Sequence, residues 1–237
     1  MTRVKEELLC RYPFYQPVEG YRYSIDALLL SGFVKEPKAG ASFLEIGTGS
    51  GIITLLLSKR FTKVSFHAVE IQEELYLIAR DNFLLHDLKV DLELGDYREL
   101  EGQDLYEYIV ANPPFFKDGN ISQNTMEAIA RHEVKSTLDQ LIEKSKKLLK
   151  TGGFLYLIYP AKRLGELFGQ MEAKGIRPYA LKVVYAKEGR EGELVLVVGK
   201  KNYRGALRVL APLVIYDQEN SYLEEVVKLY KEGVLHW

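Results

Sequence analysis

A parallel α/β sheet with helices on both faces is predicted by three observations. From Phe43 onward, short apolar runs alternate with helical stretches at close spacing. Two of those runs end in special loops, Glu45-Ile46-Gly47-Thr48-Gly49-Ser50-Gly51 and Asn112-Pro113-Pro114-Phe115. Two late strands, Ala180–Tyr185 and Leu194–Val198, are joined by a polar, glycine-containing turn and read as an antiparallel pair.

In chain order, residues 1–40 form an N-terminal segment. Arg11-Tyr12-Pro13-Phe14-Tyr15-Gln16-Pro17 is too proline-rich for a helix, and Ser24 caps a short helix through Leu30 that ends before Gly32. Ser42–Ile46 is a strand, Ile52–Lys59 a helix that is apolar all round, and Ser65–Val69 a strand. Gln72–His86 is helical, with Leu75, Ile78, Ala79 and Leu85 near helical spacing. Val90–Leu94 and Tyr106–Ala111 are the next strands. Thr137-Leu138-Asp139-Gln140 resembles a capping box and opens a helix with the stripe Leu138, Leu141, Ile142, Leu148 and Leu149. Lys146, Lys147 and Lys150 sit where the helix dipole favours cations, and Gly152-Gly153 stops the helix. Phe154–Tyr159 is a strand, Lys162–Ala173 a helix, and Tyr222–Tyr230 a final helix. The expected division is an N-terminal segment over 1–40, a core over 41–200, and an extension over 201–237 whose last helix packs on the core.

The chain has 237 residues, 47% hydrophobic and 27% charged, with a formal net charge of −1. That length supports one sizeable core. A lone cysteine, Cys10, excludes an internal disulfide framework and a cysteine zinc cluster, and no metal is expected. No segment approaches the roughly 18 apolar residues of a membrane span. The first residues turn polar where a signal peptide would turn apolar, so a cytoplasmic protein is expected, monomeric and without an obligate protein partner or membrane. Charge is uneven: Glu70 to Asn112 holds 12 acidic and 3 basic residues, a balance of −9, and Pro160 to Arg208 holds 11 basic and 5 acidic, a balance of +6. The basic half offers a phosphate-binding face or ordinary solvated helices.

Ligands of such sheets bind beyond the carboxyl ends of the strands, so the two loops share one crevice. Gly47, Gly49 and Gly51 make Gly-x-Gly-x-Gly, and the third glycine of a nicotinamide loop is replaced by Ile52. With no Gly-Lys-Ser or Gly-Lys-Thr, a nucleoside triphosphate loop is excluded. The pattern fits a ligand laying an amino-acid tail or ribose on the glycine backbone, as S-adenosylmethionine does. Glu70, ending the next strand, can accept both ribose hydroxyls, and Asp96 can accept from the adenine amino group. Each acid alone reads as a solvated strand end; their order at successive strand ends makes the site. Glu45, Thr48, Ile71 and Tyr97 flank it and complete the candidate set.

An exocyclic amine on a base is a poor nucleophile because its lone pair is delocalised. Two acceptors on its N–H bonds pull the nitrogen toward tetrahedral geometry, and Asn112 with the Pro113 carbonyl can be those acceptors. Pro113 and Pro114 stiffen the loop before substrate arrives. Phe115 offers a flat face for a base flipped out of its stack. No strong general base is required.

With these residues assembled, the chain resembles the class I adenosylmethionine-dependent methyltransferases, and more narrowly the small bacterial tRNA (adenine-N6)-methyltransferases acting 3′ of the anticodon of a valine tRNA. The likeness covers Gln16-Pro17, Gly20–Leu30, the glycine loop, Val69-Glu70-Ile71-Gln72, Asn112–Phe115, Ala130-Arg131-His132-Glu133 and Ala211–Tyr216. It implies a Rossmann-like, seven-stranded, mostly parallel sheet with the last pair reversed, S-adenosylhomocysteine as product, and tRNA as partner. It also implies an N-terminal segment that closes over the cofactor, making Tyr21, Arg22, Ser24 and Asp26 candidate contacts, and it offers Arg131 and His132 as substrate contacts. Phe115 stands where many adenine enzymes carry Tyr, and some guanine-N2 enzymes carry Phe.

Lys200, Lys201, Arg204 and Arg208 are candidate phosphate contacts, or the solvated end of a strand. Competing functions are rRNA guanine-N2 methylation, protein glutamine-N5 methylation, methylation of a small amine, and a non-catalytic tRNA-binding module. Glutamine enzymes usually carry Tyr after the prolines and a separate helical domain. A DNA enzyme would need a larger target-recognition domain than this length allows.

Overall fold

Side-chain alternation fixes the sheet and its two covered faces. In β3 (Ser42–Ile46), Phe43 joins one core cluster while Leu44 and Ile46 join the other. The same two-residue period separates Phe66 and Ala68 from Val69 in β4 (Ser65–Glu70), and Val110 from Ile109 and Ala111 in β6 (Tyr106–Ala111). The computed structural model describes residues 3–8, 12–18, 22, 24–113 and 137–237.

The remaining strands are β5 (Val90–Leu94), β7 (Leu149–Pro160), β8 (Ile176–Lys187), β9 (Gly192–Lys201), β10 (Arg208–Val209) and β11 (Leu213–Tyr216). Across the sheet the order is β5-β4-β3-β6-β7-β9-β8. Strands β3 to β7 run parallel, and β9 is antiparallel to both β7 and β8. This is the expected seven-stranded class I arrangement. Two short strands missed by the sequence reading, β10 and β11, add in parallel to the outer edge of β8, giving nine strands in the sheet.

One face is covered by α1 (Ile25–Phe33), α2 (Ile52–Arg60), α3 (Glu73–Leu85) and α6 (Glu224–Glu232), the other by α4 (Leu138–Leu148) and α5 (Leu164–Lys174). Ser24 caps α1 by accepting from the Asp26 amide at 3.3 Å. Thr137 and Gln140 form the capping box of α4 with reciprocal bonds of 3.2 and 3.1 Å. Among the described residues no helix is long and apolar enough to cross a membrane.

Two glycine readings are corrected. Helix α1 runs through Gly32 to Phe33, because Gly32 is where α6 comes close: a Cβ there would lie 2.3 Å from Leu229 Cδ1. The chain end then folds onto this point, with Leu235 N donating to the Gly32 carbonyl (2.8 Å) and Trp237 stacked on Phe33 at 4.7 Å. Gly152 and Gly153 do not stop α4, which ends at Leu148; both lie inside β7. A Cβ on Gly153 would meet the Lys150 and Glu107 carbonyls at 2.9 and 3.0 Å, where the β6–β7 register shifts.

The N-terminal segment contains a hairpin, β1 (Arg3–Leu8) with β2 (Tyr12–Pro17), in a stretch where the prolines had excluded only a helix. Pro13 and Pro17 are tolerated because the hairpin is its own two-stranded sheet with open edges.

A ladder of rings crosses the sheet near the amino ends of its parallel strands. Phe43 stacks on Tyr108 (4.5 Å), Tyr108 on Phe154 (5.7 Å), and Phe154 meets Tyr179 edge-on (5.7 Å).

Candidate active site

Strand register brings the predicted loops together. Ile46 of β3 pairs with Ala111 of β6 and with Val69 of β4, and Glu70 pairs with Leu94 of β5. Gly47, Asn112, Glu70 and Gly95-Asp96 therefore all lie at one carboxyl edge. The loop after β3 closes onto β4: Gly47 N and Thr48 N both donate to the Val69 carbonyl, at 2.9 and 3.1 Å.

All three glycines of the motif have positive φ: 71° at Gly47, 58° at Gly49 and 86° at Gly51. Their surroundings differ. A Cβ on Gly51 would strike the Phe83 ring of α3 at 2.8 Å, whereas a Cβ on Gly47 would meet nothing within 4 Å among the described residues. Gly51 permits helix packing, and Gly47 leaves its backbone open to a ligand.

Two buried carboxylates shape the loop from inside. Glu45 Oε2 accepts from Thr48 Oγ1 (2.7 Å), Thr54 Oγ1 (2.5 Å) and Thr54 N (3.0 Å), so it ties the loop to the first turn of α2 and satisfies one of that turn's free amides. Burial outweighs these bonds and pushes its pKa up to about 7. Glu70 accepts from Gly49 N at 2.8 Å through one oxygen and from Gln72 N at 2.9 Å through the other. Burial raises its pKa too, against the three backbone amides of Gly49, Ile71 and Gln72. Each Glu70 oxygen keeps lone-pair capacity for a further donor.

Ile71 presents an apolar side chain at the rim and is 45% exposed. Tyr97 packs partly buried against the α4-side core. Asp96 is held by its neighbour Arg98, whose Nε donates to both carboxylate oxygens at 3.0 and 2.8 Å. Ser24 and Asp26 begin α1, with Ser24 acting as its cap. Arg22 pairs with Glu6 of the hairpin. Asn112 and Pro113 follow β6 directly and are half-buried. The other expected site residues, Pro114, Phe115, Tyr21, Arg131 and His132, lie outside the described residues.

The four cations offered as phosphate contacts, or as the solvated end of a strand, do not all share one face. Successive residues of β9 face opposite sides, so Lys200 and Lys201 part. Lys201 is buried and donates to Asp104 (2.9 Å) and to the Leu149 carbonyl (2.6 Å). Lys200 lies over the rings of Phe154, Tyr179 and Tyr203, at 4.9, 5.7 and 5.7 Å. Arg208 lies 5.5 Å from the Trp237 ring, and Arg204 is exposed. Because β9 is antiparallel and Lys200 pairs with Phe154 early in β7, this end of β9 sits at the amino edge, away from the glycine loop.

Asn82 was missed. It is fully buried in α3; its Nδ2 donates to the carbonyls of Ser50 and Tyr15, both at 2.9 Å, and its Oδ1 accepts from Tyr15 N at 2.7 Å. One side chain thus joins the glycine loop to the N-terminal hairpin. A signal existed: Leu75, Ile78 and Ala79 put Asn82 next on the same helical stripe, a polar residue at an apolar position. Leu85, which the sequence reading placed on that stripe, is 38% exposed.

Comparison with known proteins agrees with this fold. Residues 25–174 match the family described as Methyltransferase small domain. Over 202 residues the chain is 30% identical to a tRNA1(Val) (adenine(37)-N6)-methyltransferase of Actinobacillus succinogenes, covering 82% of each chain. It is 28% identical over 229 residues to a protein of the same name from Flavobacterium psychrophilum, covering 93% of this chain and 95% of that one. Among solved structures it is similar to one described as a predicted O-methyltransferase from Agrobacterium tumefaciens, with TM-score 0.71, 18% identity, and coverage of 89% of this chain and 98% of that one. It is also similar to TYW2 of M. jannaschii in complex with AdoMet, with TM-score 0.58, 18% identity, and coverage of 84% and 85%. At those identities the structures share the fold. The glycine loop, its two buried glutamates and the Asn-Pro strand end thus sit within a matched family region, and the chain belongs to the methyltransferase small domain family, alongside the tRNA1(Val) (adenine(37)-N6)-methyltransferases.

Proposed function

We propose that this protein methylates the exocyclic N6 amino group of an adenine in tRNA, using S-adenosylmethionine, in the cytoplasm and as a monomer. The relatives' name points to adenine 37 of tRNA1(Val) as the target. The observation that carries this reading is the register that sets Asn112 and Glu70 on either side of Gly47.

The residues present fit the cofactor. No described residue blocks the Gly47 backbone from its amino-acid tail, Glu70 has lone pairs for the ribose hydroxyls, and Ile71 gives an apolar rim for the adenine. Asp96 accepts four bonds from Arg98, two on each oxygen, so it would reach the adenine amino group by exchanging one of them. When bound, S-adenosylmethionine supplies a methyl group on a positive sulfur.

The protein's own part is orientation. Asn112 Oδ1 and the Pro113 carbonyl accept the two N–H bonds of the target amine, which draws its lone pair out of the ring and toward the crevice. Pro113 carries no N–H and has a fixed φ, so these acceptors are aimed beforehand. Phe115 is the proposed stacking face for the flipped base. As the N–C bond formed, the S–CH3 bond would break with its electron pair staying on sulfur, giving neutral S-adenosylhomocysteine; the nitrogen would carry an extra proton and a positive charge, and that proton would pass to water.

Incubation with labelled S-adenosylmethionine and unmodified total tRNA, followed by digestion to nucleosides, tests this directly. Labelled N6-methyladenosine is expected. Label in N2-methylguanosine, or none in tRNA, overturns the reading.

A further inference from the structure

Outside the crevice, a charged groove of about 540 Å³ lies along α4. It gathers five cations, Arg98, Lys144, Lys146, Lys147 and Lys201, against the carboxylates Asp104 and Glu143. Part of this charge is spent. Arg98 grips Asp96, Lys201 pairs with Asp104, and Glu143 is taken by Lys174 at 3.0 Å.

Three lysines remain with no carboxylate partner among the described residues. Lys144 donates to the backbone carbonyls of Arg98 (2.8 Å) and Leu100 (2.5 Å), and Lys146 to the side-chain oxygen of Asn202 (2.7 Å). Neutral oxygens hold an ammonium group in place without cancelling its charge. Lys147 is exposed between them on the helix. Burial, followed by repulsion from Lys147, lowers the pKa of Lys144; burial, followed by repulsion from Lys201, lowers that of Lys146. Asp96 and Glu101 offset the first effect and Asp104 the second. Among the described residues the groove therefore carries positive charge, held in place at Lys144 and Lys146, that no carboxylate pairs with.

Its position is informative. Its upper end is Arg98, which holds Asp96 at the carboxyl edge, and its lower end is Lys201 with Asp104, just before β6. An RNA strand reaching the crevice could continue along this line with its phosphates on the lysines.

We propose that the α4 groove is a docking surface for the phosphate backbone of RNA, with Lys144, Lys146 and Lys147 as its contacts. This rests on the tRNA reading above and identifies the surface that reading lacks. Ammonium groups already held in place lose little freedom on binding. Their contribution should be independent of sequence and sensitive to salt.

The test is fluorescence anisotropy with unmodified total tRNA over a salt series, using the full chain. Lys146→Glu/Lys147→Glu should weaken binding by about tenfold or more and flatten the dependence of log affinity on log salt by about 2. The neutral pair Lys146→Gln/Lys147→Gln should fall between wild type and the Glu pair. Arg204→Ala/Arg208→Ala, at the amino edge, should stay within about twofold of wild type. Affinity for S-adenosylmethionine checks folding, and if the Glu pair fails that check the Gln pair decides. Wild-type tRNA affinity and salt slope in the folded variants overturn the proposal, as does equal loss in the Arg204/Arg208 pair. Label transfer is scored separately. A wild-type protein that binds tRNA through these lysines yet methylates none overturns the functional reading and leaves the groove standing; one that methylates tRNA while the lysine variants match it overturns the groove alone.

Discussion

The two edges of the central sheet use the same side-chain types differently. At the carboxyl edge, strand ends in register supply glycines with positive φ, buried carboxylates and Asn112, with no described residue blocking Gly47. At the amino edge, rings and cations close on one another: Lys200 lies over three aromatic rings and Lys201 is buried against Asp104. A charge at the end of a strand marks a site only once the strand's direction is known. The reversal of β9 carries residues 200–208 to the edge where charge serves packing.

This contrast can be broken or sharpened by substitution. The largest effect is expected at the carboxyl edge. Asn112→Ala should lower kcat by on the order of 10²–10³-fold while S-adenosylmethionine affinity stays unchanged, read by single-turnover kinetics and calorimetry. Full turnover in this variant would remove Asn112 from the chemistry.

Glu45 tests whether the loop is built from within. Its folded pKa, about 7, lies above its ordinary 4.5, so the stability it contributes is fully present below about pH 4.5 and is lost as pH rises through about 7. Relative to Glu45→Gln, the wild-type protein should lose about 3 kcal/mol of unfolding free energy between pH 4 and 8. Parallel pH profiles for the two proteins in urea titrations would contradict this.

Asn82→Ala strands the Tyr15 amide and the Tyr15 and Ser50 carbonyls. We expect a loss of about 1–3 kcal/mol in urea unfolding, with cofactor affinity also reduced because the glycine loop loses a strut. The smallest effect belongs to the amino edge: Lys200→Ala should cost about 0.5–1 kcal/mol of stability and leave methyl transfer unchanged.

Where chemistry is local, the sequence was a good guide. β5 and β6 run over the expected residues, and the Thr137 cap and the glycine loop are as read, because apolar alternation, a hydroxyl N-cap and a Gly-x-Gly-x-Gly run each act within a few residues. Where partners are distant, it was not. Gly32 looked like a helix stop until Leu229, far along the chain, came against it. The hairpin depends on Asn82 as well as on its own strands, and a two-stranded ribbon alone is marginal. Lys200 and Lys201 part because side-chain alternation, which composition does not record, decides which cations share a face.

The most direct measurement is a crystal structure with S-adenosylhomocysteine and an adenosine nucleotide in the crevice. The account predicts the Asn112 side-chain oxygen and the Pro113 carbonyl each within about 3.2 Å of the adenine N6, with the sulfur on the opposite side of that nitrogen. A base bound with N6 away from both oxygens, or an Asn112 amide turned from the sulfur, would contradict it.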